Sequence, residues 1–375
     1  MTPPVLPLEV FDEIVSQSAD EISILKSCSL VCRSFRRSAQ KMLFNCIVVK
    51  LANRDSDESP INLVLIVEEA PHLIDYIQEL QISYKRINRD DYHDEDYIHM
   101  LANALDDTPR VALQDALVLL MTLHSLRDIA LDNCFYSPAN LVPNLPPLLK
   151  HLSLDRVEFS SLPTRRDELP KLESLTLDIL GVSFPSDLVE RIVDISQVKT
   201  FQGGGCNPYT MPVIERILRA TSNSLEHLTL QEFDIDDPDS ISIDLNRFSR
   251  LTDITITQWC YVGSYISLIP PMLILITKMM KTISPQNVIQ NLSFHLKLGR
   301  AIHILDFDWT MKDVWQELDT IWSIPQLASS KSFHGITFIV ESTPANCDAF
   351  SDLVQNKLPE TKKASKLHVK TSPFR

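Results

Sequence analysis

The sequence predicts an α/β protein in which three short N-terminal helices precede an irregular, repeating stack of strands and helices with a curved parallel sheet. Two observations carry this prediction. Apolar residues near the N-terminus recur at spacings of three and four, which is typical of helices with one apolar stripe. Further along, a short apolar pattern of the strand type recurs many times at related intervals.

The first helix is predicted to begin at Pro7, because proline has no N–H to lose in a first turn and its φ is already helical. Val10, Phe11, Ile14 and Val15 then give one apolar stripe. A polar break follows, and the helical rhythm resumes through Ile24, Cys28, Val31, Phe35, Ala39 and Met42.

Three helices of about 45 residues bury too little surface to be stable alone, so their apolar side needs a covering partner. Another polypeptide is one such partner. The alternative is that the helices simply cap the domain that follows them in the same chain.

The order of residues in this segment is specific. Leu-Pro-x-Glu at residues 6–9, an apolar helical run and a polar break are followed by Ser-Leu-Val-Cys-Arg-x-Phe-Arg at residues 29–36. This order resembles the F-box, with two departures: Phe35 stands where the family usually has Trp, and Ser18 where a Leu usually closes the first helix. The resemblance implies a surface for a Skp-family adaptor, formed or braced by Leu6, Pro7, Val10, Ile14, Leu25, Cys28, Val31, Cys32 and Phe35.

The resemblance further implies that the chain is the substrate-recognition subunit of an SCF-type ubiquitin ligase, joined through the adaptor to a cullin. Residues 1–48 would be the F-box-like module, and residues 49–375 the domain that binds a protein client. An interaction scaffold without a ubiquitin-ligase role is the alternative, and a hydrolase with a concealed site is a third possibility.

The downstream pattern is Φ-x-x-Φ-x-Φ, where Φ is apolar. Copies start at Ile77, Leu126, Leu149, Leu172, Leu225, Leu251, Ile289 and Phe333, with a broken copy at Val198. From 126 onward the starts are 23, 23, 26, 27, 26, 38 and 44 residues apart. Residues 186–195 and 211–221, between copies, have helical periodicity.

A period in the twenties with this pattern resembles the leucine-rich repeat, in which each unit adds one parallel strand and a return segment to a stack. The family also favours Asn or Cys three residues after the third Φ. Those positions here are Cys134, Val157, Leu180, Phe233 and Trp259. Only Cys134 matches, so apolar residues mostly replace the hydrogen-bonding ladder that the family's Asn or Cys residues form. A non-repeating α/β domain is the alternative.

An acidic column is predicted on the open face of the stack. Asp132, Asp155 and Asp178 each follow the third Φ of consecutive copies, and Asp128 and Asp253 share that face. Strands about 4.8 Å apart would make these carboxylates raise one another's pKa unless a cation neutralises them. That cation is either an intramolecular Lys or Arg or a basic client. The alternative is ordinary solvated aspartates that cap the ends of strands.

Composition limits the class of partner. A net charge of −14 argues against nucleic acid as a partner and is compatible with basic proteins.

Seven scattered cysteines without a secretory signal predict a reducing compartment, cytoplasmic or nuclear. No apolar run is long enough to span a membrane.

No catalytic, cofactor or metal motif stands out. The three glycines at 203–205 lack the Lys-Ser/Thr pair and the glycine spacing of nucleotide loops, which favours a strand-to-helix turn. Residues 303–309 alternate like a half-buried strand, and the acidic run at residues 90–96 is typical of a loop. We therefore expect a non-catalytic protein that requires no cofactor or metal.

Overall fold

The computed structural model describes residues 7–18, 20–51, 59–84, 109–133, 145–157, 168–178, 187–233, 243–260, 269–284, 286–298, 312–322 and 333–373. These residues belong to two compact units, Met1–Pro170 and Lys171–Arg375. The boundary predicted after residue 48 falls inside the first unit, and separate folding of residues 1–48 stays a prediction.

The first unit opens with three helices: α1 (Leu8–Ser16), α2 (Ile22–Val31) and α3 (Arg33–Leu43). Pro7 is the N-cap of α1, one residue outside the helix. Cys32 is extended, with φ −157° and ψ 173°, and separates α2 from α3.

Four strands follow in the first unit: β1 (Cys46–Leu51), β2 (Glu79–Tyr84), β3 (Asp128–Asp132) and β4 (His151–Asp155). Each pairs in parallel with the next in chain order. Helix α4 (Ser59–Glu69) and a 3₁₀ helix (Pro71–Tyr76) connect β1 to β2, and α5 (Pro109–Met121) precedes β3.

The second unit contains seven described strands: β5 (Ser174–Asp178), β6 (Thr200–Gly204), β7 (His227–Gln231), β8 (Asp253–Cys260), β9 (Asn291–Leu298), β10 (Gly335–Ser342) and β11 (Leu367–Pro373). They also pair in parallel, in chain order. The described helices are α6 (Leu188–Ile192), α7 (Met211–Ala220), α8 (Ile269–Lys281), α9 (Lys312–Trp322), α10 (Pro344–Lys357) and α11 (Pro359–Lys363), with a 3₁₀ turn at Leu245–Arg247.

The recurring apolar pattern forms the core. Every Φ residue of the described copies is at most 6 % exposed. The second Φ residues lie in register across neighbouring strands, as Leu80, Ile129 and Leu152 do in the first unit. Residues between the Φ positions therefore lie on the opposite face of each sheet, which is partly open. The predicted α/β class with a parallel sheet is confirmed.

The broken copy at Val198 is explained by a close approach. Gly203 occupies the place of the third Φ, where an added Cβ would lie 3.3 Å from both Phe201 and Ile214. The large Phe201 ring, fully buried, fills the space that a third apolar side chain takes elsewhere. Gly205 then takes a left-handed φ of 57° just after β6.

Candidate binding surfaces

The first two helices carry an exposed apolar surface. Its members, hereafter the apolar helix surface, are Val10 (37 % exposed), Ile14 (47 %), Ile22 (61 %), Ile24 (38 %), Leu30 (79 %) and Val31 (67 %). Six large exposed apolar side chains on two short helices are more than the scattered single exposures of an ordinary soluble surface, and they make these helices the candidate interaction site.

The predicted adaptor residues divide by burial. Val10, Ile14, Val31, Pro7 and Cys32 are exposed. Leu25 is only 2 % exposed and packs with Val15 and Ala39, while Cys28 and Phe35 are half-buried against that cluster. These three support the surface from below, and Leu6 lies outside the described residues. The sequence reasoning missed Ile22 and Leu30, which lie off its apolar stripe but are among the most exposed.

Contacts with α3 hold α1, one of the two helices of the apolar helix surface, in position. The rings of Phe11 on α1 and Phe35 on α3 meet edge to face, with centroids 5.0 Å apart. Lys41 Nζ of α3 lies 3.2 Å from Asp12 Oδ2 of α1. Ser38, and then Lys41, lower the pKa of Asp12 below its usual value despite some desolvation. The Ser38 hydroxyl donates a hydrogen bond to the Ser34 carbonyl oxygen, 3.2 Å away. Aromatic packing and a charged pair thus join α1 to α3.

On the open face of the first unit, one arginine forms ion pairs with two of the predicted aspartates. Asp132 and Asp155 are register partners on β3 and β4. Arg156 Nη2 lies 3.0 Å from Asp132 Oδ1, and Arg156 Nε lies 2.8 Å from Asp155 Oδ1. Partial burial and the neighbouring Asp155 still raise the pKa of Asp132, with Arg156 opposing both. The intramolecular cation is therefore Arg156, a residue that the sequence reasoning did not single out.

Asp128 has a weaker partner on the same face. Its Oδ1 lies 3.8 Å from Nε2 of His151, the register neighbour on β4. Burial raises the pKa of Asp128, His151 and Lys150 lower it, and Glu79 on β2 raises it. Asp128 therefore has His151 and Lys150 as its partially compensating neighbours.

The two remaining predicted aspartates belong to the second unit. The carboxyl group of Asp178 lies close to the backbone of Gly204, where an added Cβ would come within 2.8 Å of it. Asp253 accepts hydrogen bonds from Asn291 and Thr252, each 2.6 Å, and its Oδ2 lies 3.0 Å from His227 Nδ1. Burial alone would raise the pKa of Asp253, but these partners outweigh it and lower the pKa.

Backbone conformation repeats at the ends of several strands. Asn133, Arg156 and Glu232 have φ of 54°, 51° and 54°, and Gly205 has a similar value, each directly after a strand. The next residue points inward: Val157, Cys206 and Phe233 are buried. The shared left-handed residue therefore turns the following side chain into the core of each copy.

Cys206 occupies the position three residues after the third Φ of the broken copy. Its Sγ lies 3.8 Å from the Gly203 carbonyl oxygen, and complete burial raises its pKa to about 12. The sequence reasoning missed this match to the repeat family because it counted only unbroken copies.

A mixed cluster lies on the open face of β8–β10. Lys297 Nζ is 4.8 Å from the centre of the Trp259 ring and 3.6 Å from Glu341 Oε2. His295 Nε2 lies 3.0 Å from the other Glu341 oxygen. Lys297 and Glu341 are the oppositely charged pair of this cluster.

Within the described ranges, no three His, Cys, Asp or Glu residues are placed to hold a metal ion, and no helix has the length and apolarity to cross a membrane. No family model matches this chain, and no curated protein matches it.

Proposed function

We propose that this chain is the substrate receptor of an SCF-type ubiquitin ligase. Helices α1–α3 dock a Skp-family adaptor, and the following strand-and-helix stack, of the leucine-rich-repeat type, holds a protein client. The observation that carries the proposal is the apolar helix surface, which lies in the same segment as the F-box-like order of residues.

Burial of that surface supplies the binding energy. Covering an apolar side chain stabilises a complex by about 25 cal/mol per Å² of area removed from water. Leu30, Val31 and Ile22 are the most exposed members of the apolar helix surface and would lose the most apolar area on binding. Leu25, in the core beneath, keeps the helices in the geometry that presents them.

The mechanism is positional rather than chemical. One end of the chain holds the adaptor and, through it, a cullin; the other holds the client. Catalysis belongs to the recruited ubiquitin-conjugating enzyme, and the rate gain comes from the raised effective concentration of the client. The receptor itself requires no cofactor, metal, nucleic acid or membrane.

A basic client remains part of this proposal. Asp128, Asp132, Asp155, Asp178 and Asp253 would meet it on the open faces. A client lysine or arginine would have to compete with Arg156 for Asp132 and Asp155. Replacing Asp132, Asp155 and Asp178 by Ala without any change in the recovered partners would contradict this part.

Affinity purification of the tagged full chain from cells tests the main proposal. The Skp-family adaptor and the cullin should both be recovered, and Leu6→Ala with Pro7→Ala should remove both. The matched control is Pro147→Ala with Leu148→Ala, an exposed pair of the same residue types outside the helices. Recovery of the adaptor without a cullin would favour the scaffold alternative, and recovery of neither would contradict the proposal.

A further inference from the structure

β11 is the strand at one edge of the second unit's sheet. It pairs with β10 along one side, with Ile336 opposite Leu367 and Phe338 opposite Val369. Ile336 donates its N–H to the Lys366 carbonyl oxygen, 2.7 Å away. In a parallel ladder alternate residues bond to the neighbouring strand, so Lys366, His368 and Lys370 direct their backbone groups inward.

The alternate residues of β11 direct their backbone groups to the outer edge of the strand. Leu367, Val369 and Thr371 direct their N–H and C=O groups away from β10. No other strand of the described chain pairs with this outer edge. An edge of this kind is a template for another strand, unless charges or prolines guard it.

The sequence that leads into and through β11 is basic, although the chain as a whole is acidic. Residues 357–373 contain five lysines and a single acidic residue, Glu360. Glu360 pairs with Lys363, and Lys366 donates to the Phe333 carbonyl oxygen. Lys370 is exposed on the open face, and no carboxylate of the described residues forms an ion pair with it.

We propose that the outer edge of β11 binds an extended acidic polypeptide segment, which adds to the sheet as a further strand. The main-chain groups of Leu367, Val369 and Thr371 supply hydrogen bonds, and Lys370 with the neighbouring lysines selects negative charge. This inference is independent of the adaptor proposal, because it involves neither α1–α3 nor the acidic faces.

The test uses the full chain and a fluorescein-labelled, end-capped ten-residue peptide of alternating Val and Glu, followed by fluorescence anisotropy. The acidic peptide should bind, more weakly as salt rises, and a Val–Lys peptide should not. Lys370→Glu should weaken binding about fivefold or more, since it reverses a favourable surface charge. Lys199→Glu, which makes the same charge change at an exposed site near β6, should alter it less than about twofold.

Hydrogen exchange shows whether the peptide adds as a strand. The amide protons of Val369 and Thr371 should exchange more slowly when the peptide is bound. Thr371→Pro, which removes one outward N–H, should weaken binding while the thermal unfolding midpoint shows that the chain is folded. Absence of binding, or binding without protection of these amides, would overturn the proposal and leave the lysines as guards against edge pairing.

Discussion

Arg156 joins two strands of the first unit through Asp132, whose Oδ1 lies 3.0 Å from Arg156 Nη2 although the residues are 24 positions apart. The same guanidinium contacts Asp155, the register partner of Asp132. Arg156 does so from a left-handed backbone conformation, φ 51°, that costs a non-glycine residue about 1 kcal/mol. The bridge and the turn therefore depend on one another.

Arg156→Ala should destabilise the chain by about 1 kcal/mol at neutral pH, because Asp132 and Asp155 would face each other as uncompensated charges. The pKa of Asp132 is already raised, so its protonation relieves that repulsion. The loss should therefore shrink as the pH falls through this raised pKa. Urea unfolding at several pH values measures it, with Arg156→Lys as the charge-preserving control. A loss that does not depend on pH would contradict the repulsion argument.

Asn291→Ala should lower the free energy of unfolding by about 1 kcal/mol, because Asp253 loses a 2.6 Å charge-assisted hydrogen bond. The folded-state pKa of Asp253 lies below its unfolded value, so the stability it provides is present above the unfolded pKa. That stability is lost as the pH falls through the lowered pKa. The difference between wild type and variant should therefore vanish in acid, and an NMR titration should show the Asp253 pKa rising in the variant.

Ser38→Ala should destabilise the three helices by about 1 kcal/mol, since Ser38 is fully buried, donates a hydrogen bond to the Ser34 carbonyl oxygen and lowers the pKa of Asp12. Lys41→Met should cost less, about 0.5 kcal/mol, because that ion pair is exposed to solvent. Thermal unfolding measures both. A larger loss from the Lys41 variant would contradict this order and show that the ion pair contributes more to stability than the buried hydroxyl does.

Gly204→Ala should cost about 1–3 kcal/mol, because the new Cβ would lie 2.8 Å from the carboxyl group of Asp178 and 3.0 Å from its Cβ. Gly203→Ala meets only side-chain carbons at 3.3–3.4 Å and should cost less. Comparing the two by chemical denaturation separates close approach from a general effect of added bulk. Equal losses would contradict the role given to Asp178.

Much of the fold was predictable because one pattern repeats. The starts at Leu126 and Leu149 in the first unit, and at Leu225 and Leu251 in the second, indicated which residues are buried, since register places equivalent positions side by side. The division between α2 and α3 at Cys32 was not predictable, because neither glycine nor proline marks it. The return helices were predicted only where apolar periodicity is strong, as at Met211–Ala220.

The candidate surfaces were predictable only in part. The resemblance placed Leu25 and Ile14 together in the adaptor surface, but only the packing of α3 on the first two helices separates the buried from the exposed one. Periodicity also could not find Arg156, because a residue just past a strand end reaches its neighbour only through a left-handed turn. Side-chain direction at such ends depends on backbone conformation that apolar spacing does not encode.

Binding of the purified full chain to a purified Skp-family adaptor, followed by isothermal titration calorimetry, tests the central claim most directly. Ile14→Asp with Val31→Asp should leave the unfolding midpoint nearly unchanged, since both side chains are exposed, and should weaken binding by at least about thirtyfold. Val288→Asp, a similar change at a residue 41 % exposed in the second unit, should leave the affinity unchanged. Equal affinity of the Ile14/Val31 variant and wild type, or no binding by either, would contradict the account.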